Sequence, residues 1–407
     1  MARQTKLDLL IRGEDGQGFE LRELPSALAY LQYRPQRIAT ESYELARLPP
    51  GVDRRVSWVL KNRTTEQYLL LTDPERFLWE QMDGRATLQE IATAYVLRYG
   101  AFDFDLIPAL IAKLRAADLL TLRPTSRLRE VLARHGRNPA AHIVEATLKQ
   151  LERLTVKSRS VNASMSRVYR WGGFLVFSPV ALVAGLALTA LGVLGTLRLW
   201  PEATALTAPL TAKPILTLVL LKLLLFATMA VHQLLHALAC VHYGRRVREF
   251  GFTVLYGFIP TFYADVTDIF MASRRARIVT ALAGPLLHLF LGGLWLWLAA
   301  QMPPGYLQSL IAASGLIQWQ ALLVSLYPFC FLEMDGYHIL ADLLGFPTLA
   351  SDAWHFVRHE LRRRVVRGIG LDRREAIWVG YFFLSLVSIL TYVVSHFWGV
   401  VQVRSGS

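Results

Sequence analysis

The sequence predicts a mainly α fold: a polytopic helical membrane protein with about five to six transmembrane helices and a re-entrant hairpin, preceded by a small α+β domain of winged-helix type. Three observations carry this. The 407 residues are 53% hydrophobic and only 18% charged, too apolar for an ordinary soluble chain and in keeping with a membrane protein that has a soluble part. Five apolar runs, at about 172–196, 214–240, 276–301, 306–333 and 376–400, are each long enough to span ~30 Å of hydrocarbon at ~1.5 Å per residue. Residues 1–122 contain no such run and read instead as a hairpin followed by helices.

Within 1–122, Val56, Trp58 and Leu60 alternate with polar neighbours, as in a half-buried strand. Asn62-Arg63-Thr64-Thr65 turns the chain, and Gln67 to Leu71 returns as a second strand. Asp73-Pro74 reads as the N-cap and first residue of a helix that runs through Phe77, Leu78 and Met82 and stops near Gly84. Thr87-Leu88-Gln89-Glu90 is a capping box for a helix ending near Gly100, and a third helix covers Asp105 to Asp118. A hairpin followed by three helices suits a winged-helix module. Residues 123–170 are rich in Arg and Lys, with apolar residues at helical spacing (Leu128, Val131, Leu132; Leu148, Leu151, Leu154). Two readings stand for them: a basic helical connector lying along a membrane surface, or a solvated linker helix. The membrane domain is 171–407.

The net charge of +13 is explained by the loops. The connector before the first run is basic. The 197–213 loop carries Arg198, Glu202 and Lys213, and the turn at 302–305 carries no charge. Arg245, Arg246, Arg248, Arg274, Arg275 and Arg277 follow the second run, and Arg358, Arg362, Arg363, Arg364, Arg367, Arg373 and Arg374 precede the fifth. Rich and poor loops alternate, which predicts five crossings with the N-terminal domain cytoplasmic. Nucleic acid is not an expected partner, because the basic residues flank the apolar runs instead of forming a patch on the soluble domain. Cys240 and Cys330 both lie in apolar segments, so no disulfide framework is implied. Residues 1–51 have no apolar core before a small-residue cleavage site, so no secretory signal peptide is expected. Residues 250–270 are apolar, too short to cross and broken by Gly251, Gly257 and Pro260. A re-entrant hairpin shielded by helices fits them.

Chemistry concentrates at His232-Gln233-Leu234-Leu235-His236. Two histidines at i and i+4 share one helix face and can share one zinc ion. In H-E-x-x-H the second residue is the Glu that takes a proton from water. Gln233, at that general-base position, has no proton-accepting role near neutral pH. The fourth run ends Phe331-Leu332-Glu333-Met334-Asp335-Gly336-Tyr337 on the same side of the membrane as the His pair. Asp335 can therefore supply a third ligand, and Gly336 a sharp backbone turn beside it. Two imidazoles and one carboxylate leave a fourth position open, as in a catalytic zinc site. A pair of core histidines satisfied by hydrogen bonds is the bland alternative, and the Met334-Asp335-Gly336 stretch at matching depth weighs against it.

These stretches, in order with Ala283-Gly284-Pro285, resemble the site-2 protease family of intramembrane zinc metalloproteases. Pro328-Phe329, Met334-Asp335-Gly336-Tyr337, Asp342-Leu343-Leu344-Gly345, Phe262-Tyr263-Ala264-Asp265-Val266 and Ser273-Arg274-Arg275-Ala276-Arg277 are similar to its peptide zinc metalloprotease branch. The resemblance covers roughly 165–400. It implies a zinc ion held by His232, His236 and Asp335, and a peptide or single-span membrane protein as substrate. It also implies a multi-pass location in the bilayer, the bacterial inner membrane with the N-terminal domain cytoplasmic. The N-terminal module resembles PqqD-like domains, which implies that a peptide adds a strand to its hairpin edge. Packing or dimer contacts are the alternative use of such a module.

Two positions depart from the resemblance. Gln233 implies that this copy is inactive, either through an engineered inactivating change, which the intact remainder of the site favours, or because the chain is a natural pseudoprotease that binds a peptide or membrane partner without cleaving it. His288, three residues after Pro285, stands where related proteases often carry Asn. A substrate or supporting contact is expected there, with metal ligation as the alternative. Asp265 and Asp268 are expected to pair with nearby arginines, Cys240 and Cys330 to fill apolar space, His338 to support Asp335 or face solvent, and Lys222 to snorkel.

Overall fold

The computed structural model describes residues 6–12, 19–25, 33–50, 52, 56–100, 106–120, 156–158, 161–255 and 259–405. It divides into two compact units, 1–50 with 55–137, and 51–54 with 138–407.

In the first unit, β1 (Lys6–Arg12) and β2 (Phe19–Pro25) form an antiparallel pair. β3 (Tyr43–Arg47), β4 (Ser57–Asn62) and β5 (Tyr68–Thr72) form an antiparallel sheet in the order β3-β4-β5. The expected hairpin is β4–β5. Its turn is held by the Asn62 carboxamide oxygen, which accepts from the N–H groups of Thr64 and Thr65. Alternation implied a half-buried strand, yet Val59, Leu60, Lys61 and Asn62 are all buried, because β3 makes β4 the central strand.

Three helices follow: α1 (Asp73–Gln81), α2 (Leu88–Tyr99) and α3 (Leu106–Ala116). The cap of α1 is Thr72, not Asp73. Thr72 ends β5 in an extended conformation and forms a capping box with Glu75, so Pro74 falls inside the first turn. Thr87 and Glu90 cap α2 as expected, and Gly100 ends it at φ 76°, a left-handed conformation that favours glycine. Leu60, Leu71, Leu78, Trp79, Leu110 and Leu114 meet in one buried core.

Most of the expected basic connector, residues 121–155, lies outside the described residues. The second unit continues with β6 (Val156–Ser158) and a short helix, α4 (Val161–Arg170). A 3₁₀ turn, Gly173–Phe177, then leads into α5 (Pro179–Leu199), α6 (Ala203–Thr211) and α7 (Pro214–His242). β7 (Glu249–Leu255) and β8 (Ile259–Asp265) pair with each other, and β6 adds to β7. The chain ends with α8 (Arg274–Gln301), α9 (Tyr306–Leu326), α10 (Asp335–Leu344), α11 (Leu349–His359), α12 (Leu361–Val366) and α13 (Arg373–Ser405). Among the described residues, five segments are long and apolar enough to cross a membrane: Pro179–Thr211, Pro214–His242, Arg274–Gln301, Tyr306–Leu326 and Arg373–Thr391.

Three boundaries differ from the sequence expectation. The first span starts at Pro179, because Ser178 caps the helix there with its hydroxyl accepting from Ala181 N–H. The expected loop at 197–213 is largely helical through α6. The fourth span stops at Leu326 instead of running to 333. Pro328 disfavours a helical Tyr327, and Phe331 sits at φ 56°, so Asp335 opens a separate helix.

The expected hairpin at 250–270 is a β-hairpin laid along α7. Phe252 and Phe262 pack on Phe226 with ring centroids 5.9 and 4.7 Å away. Phe226 lies about 9 Å along the helix from His232, at 1.5 Å per residue. Helix α8 is central in this unit and packs on α5, α7, α9 and α10. Its contact with α5 runs through glycines. A Cβ on Gly192 would stand 2.3 Å from Gly293 Cα, and one on Gly195 2.6 Å from the Leu296 carbonyl. Small residues let the two backbones touch where lipid gives apolar side chains no reason to associate.

Gly192→Val therefore forces α5 off α8. The expected loss is about 1–3 kcal/mol or more in detergent-solubilised protein, read as a fall in the thermal unfolding midpoint. Leu194→Ala, at a position 62% exposed, should leave that midpoint nearly unchanged.

Candidate metal centre

Helix α7 presents His232 and His236 on one face, 3% and 6% exposed. Their Nε2 atoms stand 3.0 Å apart. The Asp335 carboxylate reaches both rings: Oδ2 lies 3.3 Å from His232 Nε2, and Oδ1 lies 3.2 Å from His236 Nε2. The expected ligand trio is thus one cluster, close enough to hold a single metal ion. Donors sharing a tetrahedral ion at about 2.0–2.2 Å stand about 3.3–3.6 Å apart, a few tenths of an ångström beyond the 3.0–3.3 Å seen.

The protonation pattern supports the fit. His236 Nδ1 donates to the Thr280 carbonyl at 2.7 Å, so the neutral ring carries its lone pair on Nε2. That lone pair points at a second imidazole nitrogen and at a carboxylate oxygen. Acceptor atoms pressed together in a buried site repel unless a cation or a proton stands among them. Imidazole and carboxylate donors suit zinc and other divalent transition metals.

The neighbouring helices shape this cluster. Gly284 on α8 faces the rings, and a Cβ there would lie 2.4 Å from His236 Nε2 and 2.5 Å from His232 Nε2. Any side chain at 284 would fill the space the donors surround. Gly336 has a different role from the one its sequence position implied. It lies within α10, where a Cβ would be 2.0 Å from the Leu326 carbonyl. Glycine is needed there for the close approach of α10 to the end of α9, not for a turn.

Asp335 is held on several sides. Ser325 Oγ donates to Oδ2 at 2.5 Å. As the first residue of α10, Asp335 sits at a helix N-terminus, which favours negative charge. One further pin fixes α10. Arg277 places Nε and Nη2 each 2.7 Å from Asp342 Oδ1. Burial lifts the Asp342 carboxyl above the usual range, although the Arg277 guanidinium pulls the other way.

His288 lies outside the ligand trio, its ring centroid 5.0 Å from that of His232. It is part of a buried chain across three helices. Thr228 donates to the Leu225 carbonyl at 2.8 Å, Gln318 Nε2 donates to Thr228 Oγ1 at 3.1 Å, and Gln318 Oε1 faces His288 Nδ1 at 2.5 Å. Gln318 Oε1 can only accept, so His288 Nδ1 carries the proton. In the neutral ring Nε2 is then an acceptor.

Gln233 engages the hairpin: its Oε1 accepts from Ala264 N–H at 3.2 Å. Ala264 thus points its backbone away from β7, and Phe262, two residues earlier, points the same way. Among the described residues no strand pairs with that edge of β8. The edge, Gln233, His288 and the trio line one cavity of about 960 Å³, together with apolar Leu225, Met229, Phe270 and Ile317.

The other sequence candidates fall as follows. Asp265 pairs with Arg248 at 3.3 Å, and Asp268 with Arg245 at 3.3 Å. Cys240 packs in an apolar cluster. Cys330 is half-buried with its Sγ near the Tyr327 carbonyl, and neither thiol belongs to the trio. His338 lines the cavity, while Ser325 bonds Asp335. Lys222 is exposed. Sequence reasoning missed Ser325, Gln318, Thr228 and the Thr280 carbonyl. Polar residues inside apolar runs were the available signal for the three side chains, and none marks a carbonyl. Comparison with family models, curated proteins and solved structures found no match to this chain.

Asp335→Ala should abolish stoichiometric metal binding, measured by elemental analysis of purified protein. Ser325→Ala should weaken binding by about tenfold or more, measured by competition with a chelator of known affinity.

Proposed function

We propose that the chain is an intramembrane zinc metalloprotease of site-2 type, in a form that binds substrate and does not cut it. The observation that carries this is the convergence of His232, His236 and Asp335, 3.0–3.3 Å apart, in a cavity bounded by an open strand edge. A zinc ion held there supplies Lewis acidity toward a peptide carbonyl and toward water.

The chain's own groups do the rest. The Thr280 carbonyl keeps the metal-facing nitrogen of His236 unprotonated, and Ser325 keeps the Asp335 carboxylate in place. The edge of β8 offers backbone groups near Phe262 to a locally extended peptide, a membrane-associated peptide or an unwound single-span protein. Apolar walls limit water. Residue 233 is the position from which a carboxylate would accept a proton, and Gln cannot.

In this reading the first unit is cytoplasmic, which the arginine-rich loops support, and the membrane is a bacterial inner membrane, as the family resemblance implies. That unit, in this reading a winged-helix, PqqD-like module, presents the substrate. β3 covers β4, so β5 is the hairpin edge left for an added strand. A non-catalytic binder is the second reading, and the Gln233–Ala264 bond favours it, since the amide serves to anchor the hairpin over the site. The codon at position 233 in the native gene separates an engineered change from a natural pseudoprotease.

Gln233→Glu should create zinc-dependent cleavage of a membrane-associated peptide in detergent, about 10²–10⁴-fold above the parent chain, followed by mass spectrometry of the products. His232→Ala added to Gln233→Glu should return the rate to background. Equal rates with and without His232 would reject the proposal.

A further inference from the structure

The stretch joining α11 to α13 carries a chemistry unrelated to the metal centre. Residues 349–375 hold seven arginines against four acids, Asp352, Glu360, Asp372 and Glu375. Two of the arginines are committed within the protein. Arg364 Nη2 reaches Glu375 Oε1 at 2.5 Å. Arg374 stands 3.6 Å from Asp352 and 4.5 Å over the Trp378 ring. Arg362, Arg363 and Arg367 are exposed and have no acidic partner among the described residues. Interleaved with them, Val365, Val366 and Ile369 are 70%, 77% and 45% exposed.

Aliphatic side chains are costly to hold in water, and clustered guanidinium groups repel one another. One surrounding relieves both, the boundary of an anionic leaflet, with phosphates at headgroup level and acyl chains beneath. The flanking structure puts the stretch at such a boundary. Downstream it enters α13 through a cap in which Asp372 Oδ1 accepts from Glu375 N–H at 2.7 Å, and α13 contains a candidate span. Upstream, Trp354 is 51% exposed and packs on Phe382 of that span, ring centroids 5.7 Å apart. A half-exposed Trp beside a span is the usual arrangement at a lipid–water interface.

We propose that residues 361–371 form an interfacial strap that binds anionic phospholipid. Arg362, Arg363 and Arg367 hold phosphodiester headgroups, and Val365, Val366 and Ile369 enter the acyl boundary. The Arg364–Glu375 pair ties the strap to α13, so the free arginines are displayed together.

The test uses the full chain with an environment-sensitive fluorophore at Val366→Cys in a Cys240→Ala/Cys330→Ala background. The protein is reconstituted in vesicles of phosphatidylcholine alone or mixed with phosphatidylglycerol. Emission should shift to the blue in the phosphatidylglycerol vesicles relative to phosphatidylcholine, and high salt should reduce the difference. Retention of phosphatidylglycerol by detergent-solubilised protein, read by native mass spectrometry without the probe, should fall about fivefold per arginine removed in Arg362→Gln/Arg363→Gln/Arg367→Gln. The corresponding Arg→Lys triple should keep most of it. Equal emission in the two vesicles, or a Gln triple that retains as much lipid as the parent, would overturn the proposal. So would an equal blue shift with inorganic phosphate or with polyglutamate in the absence of anionic lipid, which would make the occupant a free anion or an acidic protein surface.

Discussion

Three lone-pair donors from two helices meet within 3.3 Å of one another, and the second unit is arranged so that they can. Alone, that meeting is unfavourable. Two buried imidazoles and a carboxylate lose hydration, and a cation or a proton among them makes the arrangement favourable. The backbone is built around this requirement. Gly284 leaves the space open, Gly336 lets α10 come up against the Leu326 carbonyl, and Arg277 fixes α10 two turns downstream of Asp335. Each acts on where the donors stand, not on their chemistry.

A second constraint follows from the apolar surroundings. Polar groups inside membrane-spanning helices must satisfy one another, because lipid offers no partners. Thr228, Gln318 and His288 do this across α7, α9 and α8, and Trp319 does so by donating to the Leu289 carbonyl at 3.1 Å. Such bonds contribute modestly to stability, but they are directional, and apolar packing is not. They fix the rotation of each helix about its own axis, and so determine which residues face the cavity.

The hairpin β7–β8 meets the same requirement in a different way. Its backbone groups pair across β7 and with β6, while the aromatic side chains of Phe252 and Phe262 seat it on α7. One edge is left for Gln233 and the cavity. An edge that would be a liability on a soluble sheet is enclosed here by helices, and the same edge is the feature best suited to receive an extended chain.

The apolar runs determined the five candidate spans found among the described residues, because length and hydropathy are local properties. The i, i+4 spacing determined that His232 and His236 share a face, because helix geometry is local too. The capping box at Thr87 and the glycine stop at Gly100 were legible for the same reason. What the sequence did not determine was set by contacts between distant segments. Thr72 displaced Asp73 as a cap because β5 delivers it extended. Val59 and Lys61 are buried because β3, ten or more residues upstream, covers β4. Span four ended early where Pro328 and Phe331 redirect the chain. Asp335 could be named as a ligand from its motif, but its meeting with the histidines, its bond to Ser325 and the acceptor role of His288 were decided by tertiary structure. Each depends on how whole helices are rotated and placed, and that is the outcome of packing summed over the unit, which no short stretch of residues encodes.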